Sequence, residues 1–97
     1  MKYTGILTGI DIKTKGEVFK DKLKFGEPFE RVLILQFVVV DGDGKSIDQH
    51  TEIINLTYSH KGKLGKFLSF YGEPVKGMQV LLKRTDKGWS VCFPSDN

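Results

Sequence analysis

The chain has a single cysteine, Cys92, so no disulfide can form within it. That absence fits a reducing, intracellular setting. Arginine is nearly missing too: of 15 basic residues, all but Arg31 and Arg84 are lysine. Lysine meets phosphate as a point charge, whereas arginine reads base edges with a two-pronged fork. A nucleic-acid partner would therefore be held by its backbone rather than read by sequence. No apolar run approaches the roughly 20 residues of a membrane span. The longest, Val32 to Val40, is broken by Gln36. The first residues, MKYTGILTGIDIK, lack the sustained apolar stretch of a signal peptide. The expectation is a cytoplasmic protein with no membrane partner.

Catalytic and metal-binding patterns are also missing. His50 and His60 have no cysteine or second histidine at ligand spacing. Asp41, Asp43 and Glu52 match three positions of a calcium loop, but Lys45 and Ser46 stand where a ligand and a glycine are needed. The Gly62 to Lys66 stretch lacks the spacing of a phosphate-binding loop. Ser59 and His60 are adjacent, which does not orient a nucleophile toward its base. Cys92 lies among Trp89, Val91 and Phe93 and reads as a small core filler. No enzymatic activity and no cofactor are expected.

What is present is a single-domain chain, residues 1–97, with apolar content of 39% and a net charge of +3. One stretch has a helical pattern. Leu64, Phe67, Leu68 and Tyr71 fall on one face, which predicts a helix over about Lys61–Tyr71, with Ser59 as N-cap and Gly72 as its stop. The surrounding segments alternate as strands do. Tyr3 to Lys13 is the first, with Ile6, Ile10 and Ile12 on one face and Gly5 and Gly9 allowing a bend. Lys13 to Pro28 is charged and broken by glycine, and reads as an extended connection. Phe29 to Val40 is apolar on both faces towards its end, as a central strand would be, or one with a face covered by a partner chain. Asp41 to Gly44 signals a hairpin into Lys45 to Thr57. Met78 to Arg84 and Trp89 to Phe93 form a last hairpin around Gly88.

The fold class expected is mainly β: a five-stranded, OB-fold-like Greek-key barrel with the helix between strands 3 and 4. An SH3-like barrel or a ferredoxin-like sheet is the alternative, the latter needing a second helix at Glu17 to Phe25. Lysines and aromatics gather in three places. The first connection carries Lys15, Phe19, Lys20, Lys22, Lys24 and Phe25, followed by Arg31. The start of the helix carries Tyr58, Lys61 and Lys63, and the last hairpin carries Arg84 and Trp89. Cations that track phosphates, together with flat rings on which bases stack, are what single-strand binding requires.

The basic-aromatic first connection, Lys15 to Phe25, and the GEPF turn at Gly26 to Phe29 give the chain a further likeness. In length and strand order it resembles the OB-fold single-stranded DNA-binding (helix-destabilising) proteins of filamentous phages and related mobile elements. That resemblance implies sequence-nonspecific binding to single-stranded DNA in replication or transfer, with RNA left open. It also implies a homodimer, in the host cytoplasm if phage-encoded. Lys20, Lys22 and Lys24 would contact phosphate, and Phe19 or Phe25 would stack. The predicted helix is longer than those proteins usually carry there. A second expectation, from a different class, is a protein-interaction or structural adaptor that forms homo-oligomers through a strand edge near Val38 to Val40.

Overall fold

A computed structural model describes residues 2–23, 26–56 and 62–93. In chain order the elements are β1 (Lys2–Thr14), α1 (Lys15–Phe19), β2 (Arg31–Val40), β3 (Ser46–Asn55), α2 (Lys63–Tyr71), β4 (Gln79–Thr85) and β5 (Gly88–Val91). A single 3-10 turn, Lys20–Lys22, follows α1. The strands form one antiparallel sheet in the order β3-β2-β1-β4-β5, which is not closed. The described residues are thus mainly β, with two short α-helices.

β2 is the interior strand that its composition calls for. Leu33, Leu35, Phe37 and Val39 point into the core, and Val32, Ile34 and Val40 on the other face are also buried. Its Val38 to Val40 end lies between β1 and β3, so it is not an exposed edge.

β1 is the bent strand of the sheet. Leu7 pairs with Phe37 and Gly9 with Gln36, leaving Thr8 as an extra, bulged residue. The bulge changes which residues face the core. Before it, Gly5 and Leu7 lie inward opposite Val39 and Phe37. After it, Ile10 and Ile12 share the face of Leu35 and Leu33. A regular strand would put Ile6, Ile10 and Ile12 on one side. The bulge breaks that set: Leu7 is the buried residue, and Ile12 is 53% exposed. Gly5 is required for packing, because a Cβ there would lie 2.8 Å from Leu82 Cδ1.

The helix α2 covers the inner face. Phe67 is fully buried, and Leu64 and Tyr71 pack beside the core. The Tyr71 hydroxyl donates to the Cys92 carbonyl (2.6 Å) and accepts the Leu81 N–H (3.1 Å), tying the helix end to β4 and to the chain just past β5. The N-cap is Gly62, with no side-chain cap; the expected cap, Ser59, lies outside the described residues.

The first connection departs from expectation. It is helical over Lys15–Phe19 and then turns through Lys20–Lys22 rather than running extended. A capping box explains why. The Glu17 N–H donates to the Thr14 hydroxyl (3.2 Å), and the Thr14 N–H to the Glu17 carboxylate (3.4 Å). Gly16 and the density of charge hid a helix that its caps, not its apolar pattern, hold together.

Candidate nucleic-acid interface

The site is best built from the side chains that the sheet cannot absorb. Within the first connection, Lys20 and Lys22 are exposed and Phe19 is half-buried. Lys24 and Phe25 lie outside the described residues, as do Tyr58 and Lys61. Arg31 is exposed at the start of β2 and lines a shallow recess of 310 Å³ with Ile12, Lys13, Thr14 and Glu17.

Lys15 and Lys63, far apart in sequence, line a second recess of 540 Å³ with Glu30, Asn55 and Leu64. Both ammonium groups have carboxylate partners. Lys15 stands 3.6 Å from Glu30, and its side chain is only 12% exposed. Glu30 also accepts the Glu27 N–H (2.6 Å), and that bond first, with Lys15 behind it, holds its carboxyl below the usual range. This pair therefore ties the turn at residues 26–29 to α1.

Lys63 donates to Glu52, the buried charged residue of the described set. Glu52 faces inward opposite Leu35. Its other oxygen meets the His50 imidazole, which stacks on Phe37 with ring centroids 6.4 Å apart. Burial alone would push the Glu52 carboxyl up, and it is the largest single influence. The bonds from His50 and Lys63 outweigh it together and hold the pKa below its ordinary 4.5. A carboxylate buried without such partners would cost several kcal/mol, which is why β3 can carry one on its inner face.

At the last hairpin, Trp89 is 8% exposed. Its Nε1–H donates to Asp48 Oδ2 (2.8 Å), Tyr3 meets it edge-on at 4.9 Å, and the Arg84 guanidinium sits 5.0 Å above the ring. The indole is taken up by internal contacts and joins β5 to β3 across the opening of the sheet. The same bond, with the Gln49 N–H behind it, keeps the Asp48 carboxyl below its usual range.

Phe29 was not among the aromatics singled out from sequence. At 75% exposure it is the most exposed large apolar side chain of the described set, two residues before Arg31. Its signal was its place after Pro28 in a turn closed by the Glu30 N–H on the Glu27 carbonyl (3.1 Å), since a turn tip cannot bury its side chains.

Among the described residues no group of three metal-ligating side chains occurs, and no helix is long and apolar enough to cross a membrane. The Asp41 carboxylate of the would-be calcium loop accepts the Asp43 and Lys45 N–H groups (2.9 Å each), closing the β2–β3 turn instead. No family model matches the chain, and neither a curated protein nor a solved structure matches it.

Proposed function

We propose that the protein is an OB-fold binder of single-stranded DNA that holds the phosphates with lysine and stacks bases on exposed aromatics. The observation that carries this reading is the strand order. A sheet ordered β3-β2-β1-β4-β5, with a long bulged β1 shared between β2 and β4 and a helix between β3 and β4, has the order expected of an OB barrel opened between its third and fifth strands, and this supports the reading. In that fold the β1–β2 and β4–β5 connections flank the binding face. The first connection here carries exposed Lys20 and Lys22, with exposed Arg31 at the start of β2 beside it, and the second is flanked by exposed Arg84 near the end of β4.

Within this reading, Lys20, Lys22, Lys24 and Arg31 carry the phosphate contacts, and Phe29 joins Phe19 and Phe25 as a stacking ring. Trp89, Lys15 and Lys63 serve the structure first, because each is already committed to a partner. The role is replication or transfer of a phage or mobile element, with no catalysis.

The test is fluorescence anisotropy of labelled oligo-dT at two salt concentrations, with a duplex as control. Intrinsic tryptophan quenching is a poor reporter, since the Trp89 ring is covered. Tight binding at low salt that weakens steeply as salt rises supports the reading. Changing Lys20, Lys22 and Lys24 together to Ala should reduce the salt slope by about 2, at roughly 0.7 per phosphate contact on a single strand. Absence of binding to any single strand at low salt would overturn it.

A further inference from the structure

β1 has a free edge beyond the core. Its ladder with β4 covers Lys2 to Ile6. The loop before β4 extends it by one residue: the Leu7 N–H reaches the Met78 carbonyl (2.9 Å), and the Gly77 N–H reaches the Leu7 carbonyl (2.7 Å). From Gly9 to Lys13 β1 pairs with β2 on one side, and among the described residues no strand pairs with the other. The Ile12 N–H points out of that edge, because its acceptor is the carboxylate of its own neighbour, Asp11 (2.8 Å). Ile10 and Ile12 stand 36% and 53% exposed on one face of the edge, with Asp11 and Lys13 on the other.

The edge of β3 is different. Asp48 spans from it to Trp89 on β5. Among the described residues the β1 edge has no paired strand before Thr14, whose N–H is taken by the Glu17 carboxylate (3.4 Å), and an unpaired strand edge with apolar side chains is a template for another strand.

The order Ile10-Asp11-Ile12-Lys13-Thr14 is complementary to itself when reversed. We infer that two copies of this chain pair antiparallel along Ile10 to Thr14, with a two-fold axis at Ile12. In that register Asp11 of each copy stands opposite Lys13 of the other, Ile12 meets Ile12, and Ile10 meets Thr14. Cross-strand pairs of opposite charge favour pairing, and like charges directly opposite oppose it. Registers centred on Asp11 or Lys13 put like charges face to face, so the charges select the one at Ile12. The Ile12 N–H exchanges the Asp11 carboxylate for a carbonyl of the second copy, and Asp11, which stands 4.0 Å from Lys13 of its own strand, then also meets the facing Lys13, so two Asp and two Lys alternate about the axis. The occupant is therefore a second copy, selected by charge complementarity.

The experiment is sedimentation velocity over a range of protein concentrations without nucleic acid, so its outcome is independent of the binding reading above. The wild-type chain is expected to dimerise. Asp11→Lys and Lys13→Asp each set like charges opposite one another twice in the dimer, and each should weaken the dimer by roughly tenfold or more. The double variant Asp11→Lys/Lys13→Asp restores both cross-strand pairs and should recover the wild-type dimer. Ile12→Lys, which puts two ammonium groups on the axis, should give monomer. Circular dichroism checks that each variant is folded, which their exposure favours. A wild-type chain that is monomeric throughout overturns the inference. So do single variants that dimerise like wild type, or a double variant that fails to recover.

Discussion

The two helices are both short, and they are held by opposite means. α2 has no side-chain cap at its N-terminus, but it buries Phe67 completely and Gly65 beside it. α1 buries nothing, but both ends of its first turn are satisfied by the Thr14–Glu17 capping box. One helix exists because a sheet needs a cover; the other exists because its first backbone donors have partners, Glu17 within the capping box and Lys15 and Gly16 on the Glu30 and Pro28 carbonyls of the turn before β2. A helix held by its side chains should fail together with the core. A helix held by its caps should fail alone.

The sharpest test is at Phe67. Phe67→Ala should cost about 3–5 kcal/mol, as large-to-small changes at fully buried aromatics do, and should lower the whole thermal transition. Loss of α2 amide protection without loss of sheet protection would show that the helix is dispensable to the core. Next is Tyr71→Phe. It keeps the ring but removes the hydroxyl that serves both the Leu81 N–H and the Cys92 carbonyl. A cost of about 1–3 kcal/mol is expected for leaving such groups unpaired, readable by urea titration. Burial raises the Tyr71 pKa, so the hydroxyl keeps its proton through neutral pH.

A third test titrates the polar contact at the start of α2. The folded pKa of Glu52 is held below 4.5, so this group adds stability that is fully present above the ordinary carboxylate value. That stability is lost as pH falls through the lowered folded value. Glu30 and Asp48 shift in the same direction and add to the acid limb. Denaturant midpoints should therefore drop below about pH 4.5, and Glu52→Gln should flatten part of the drop. An acid limb unchanged in Glu52→Gln would remove Glu52 from the explanation. The smallest effect is at α1. Thr14→Ala should cost α1 about 1 kcal/mol of local stability. It should raise amide exchange in residues 15–19 while leaving α2 and the thermal midpoint nearly unchanged. A global shift would mean that the first connection is part of the cooperative core.

The ease of reading α2 and the difficulty of reading α1 have the same origin. Leu64, Phe67 and Tyr71 repeat at helical spacing, and that periodicity survives in sequence because one face must be apolar. α1 has no such face, so its signal was four residues long, Thr14 to Glu17. The candidate site divides in a similar way. Exposed Lys20, Lys22, Arg31 and Arg84 were visible as charges that no core could take. The commitment of Trp89 to Asp48, and of Lys63 to Glu52, was not, because each joins residues many positions apart.

By itself the sequence determined a mainly β chain. It marked β2 as an interior strand from its two apolar faces, set the hairpins at Asp41 to Gly44 and at Gly88, and set the covering face of α2. These follow from local geometry: alternation, turn conformations and helical period act over a few residues. Only the tertiary structure decided that Thr8 bulges and hands the inner face from Leu7 to Ile10. It alone placed a charged residue, Glu52, inside the sheet, turned Trp89 from a surface ring into a brace between β3 and β5, and left the edge of β1 beyond Leu7 without a paired strand among the described residues. The reason is that each depends on what stands opposite. Register, burial and the occupancy of an edge are properties of pairs of segments, and a single segment carries no record of its partner.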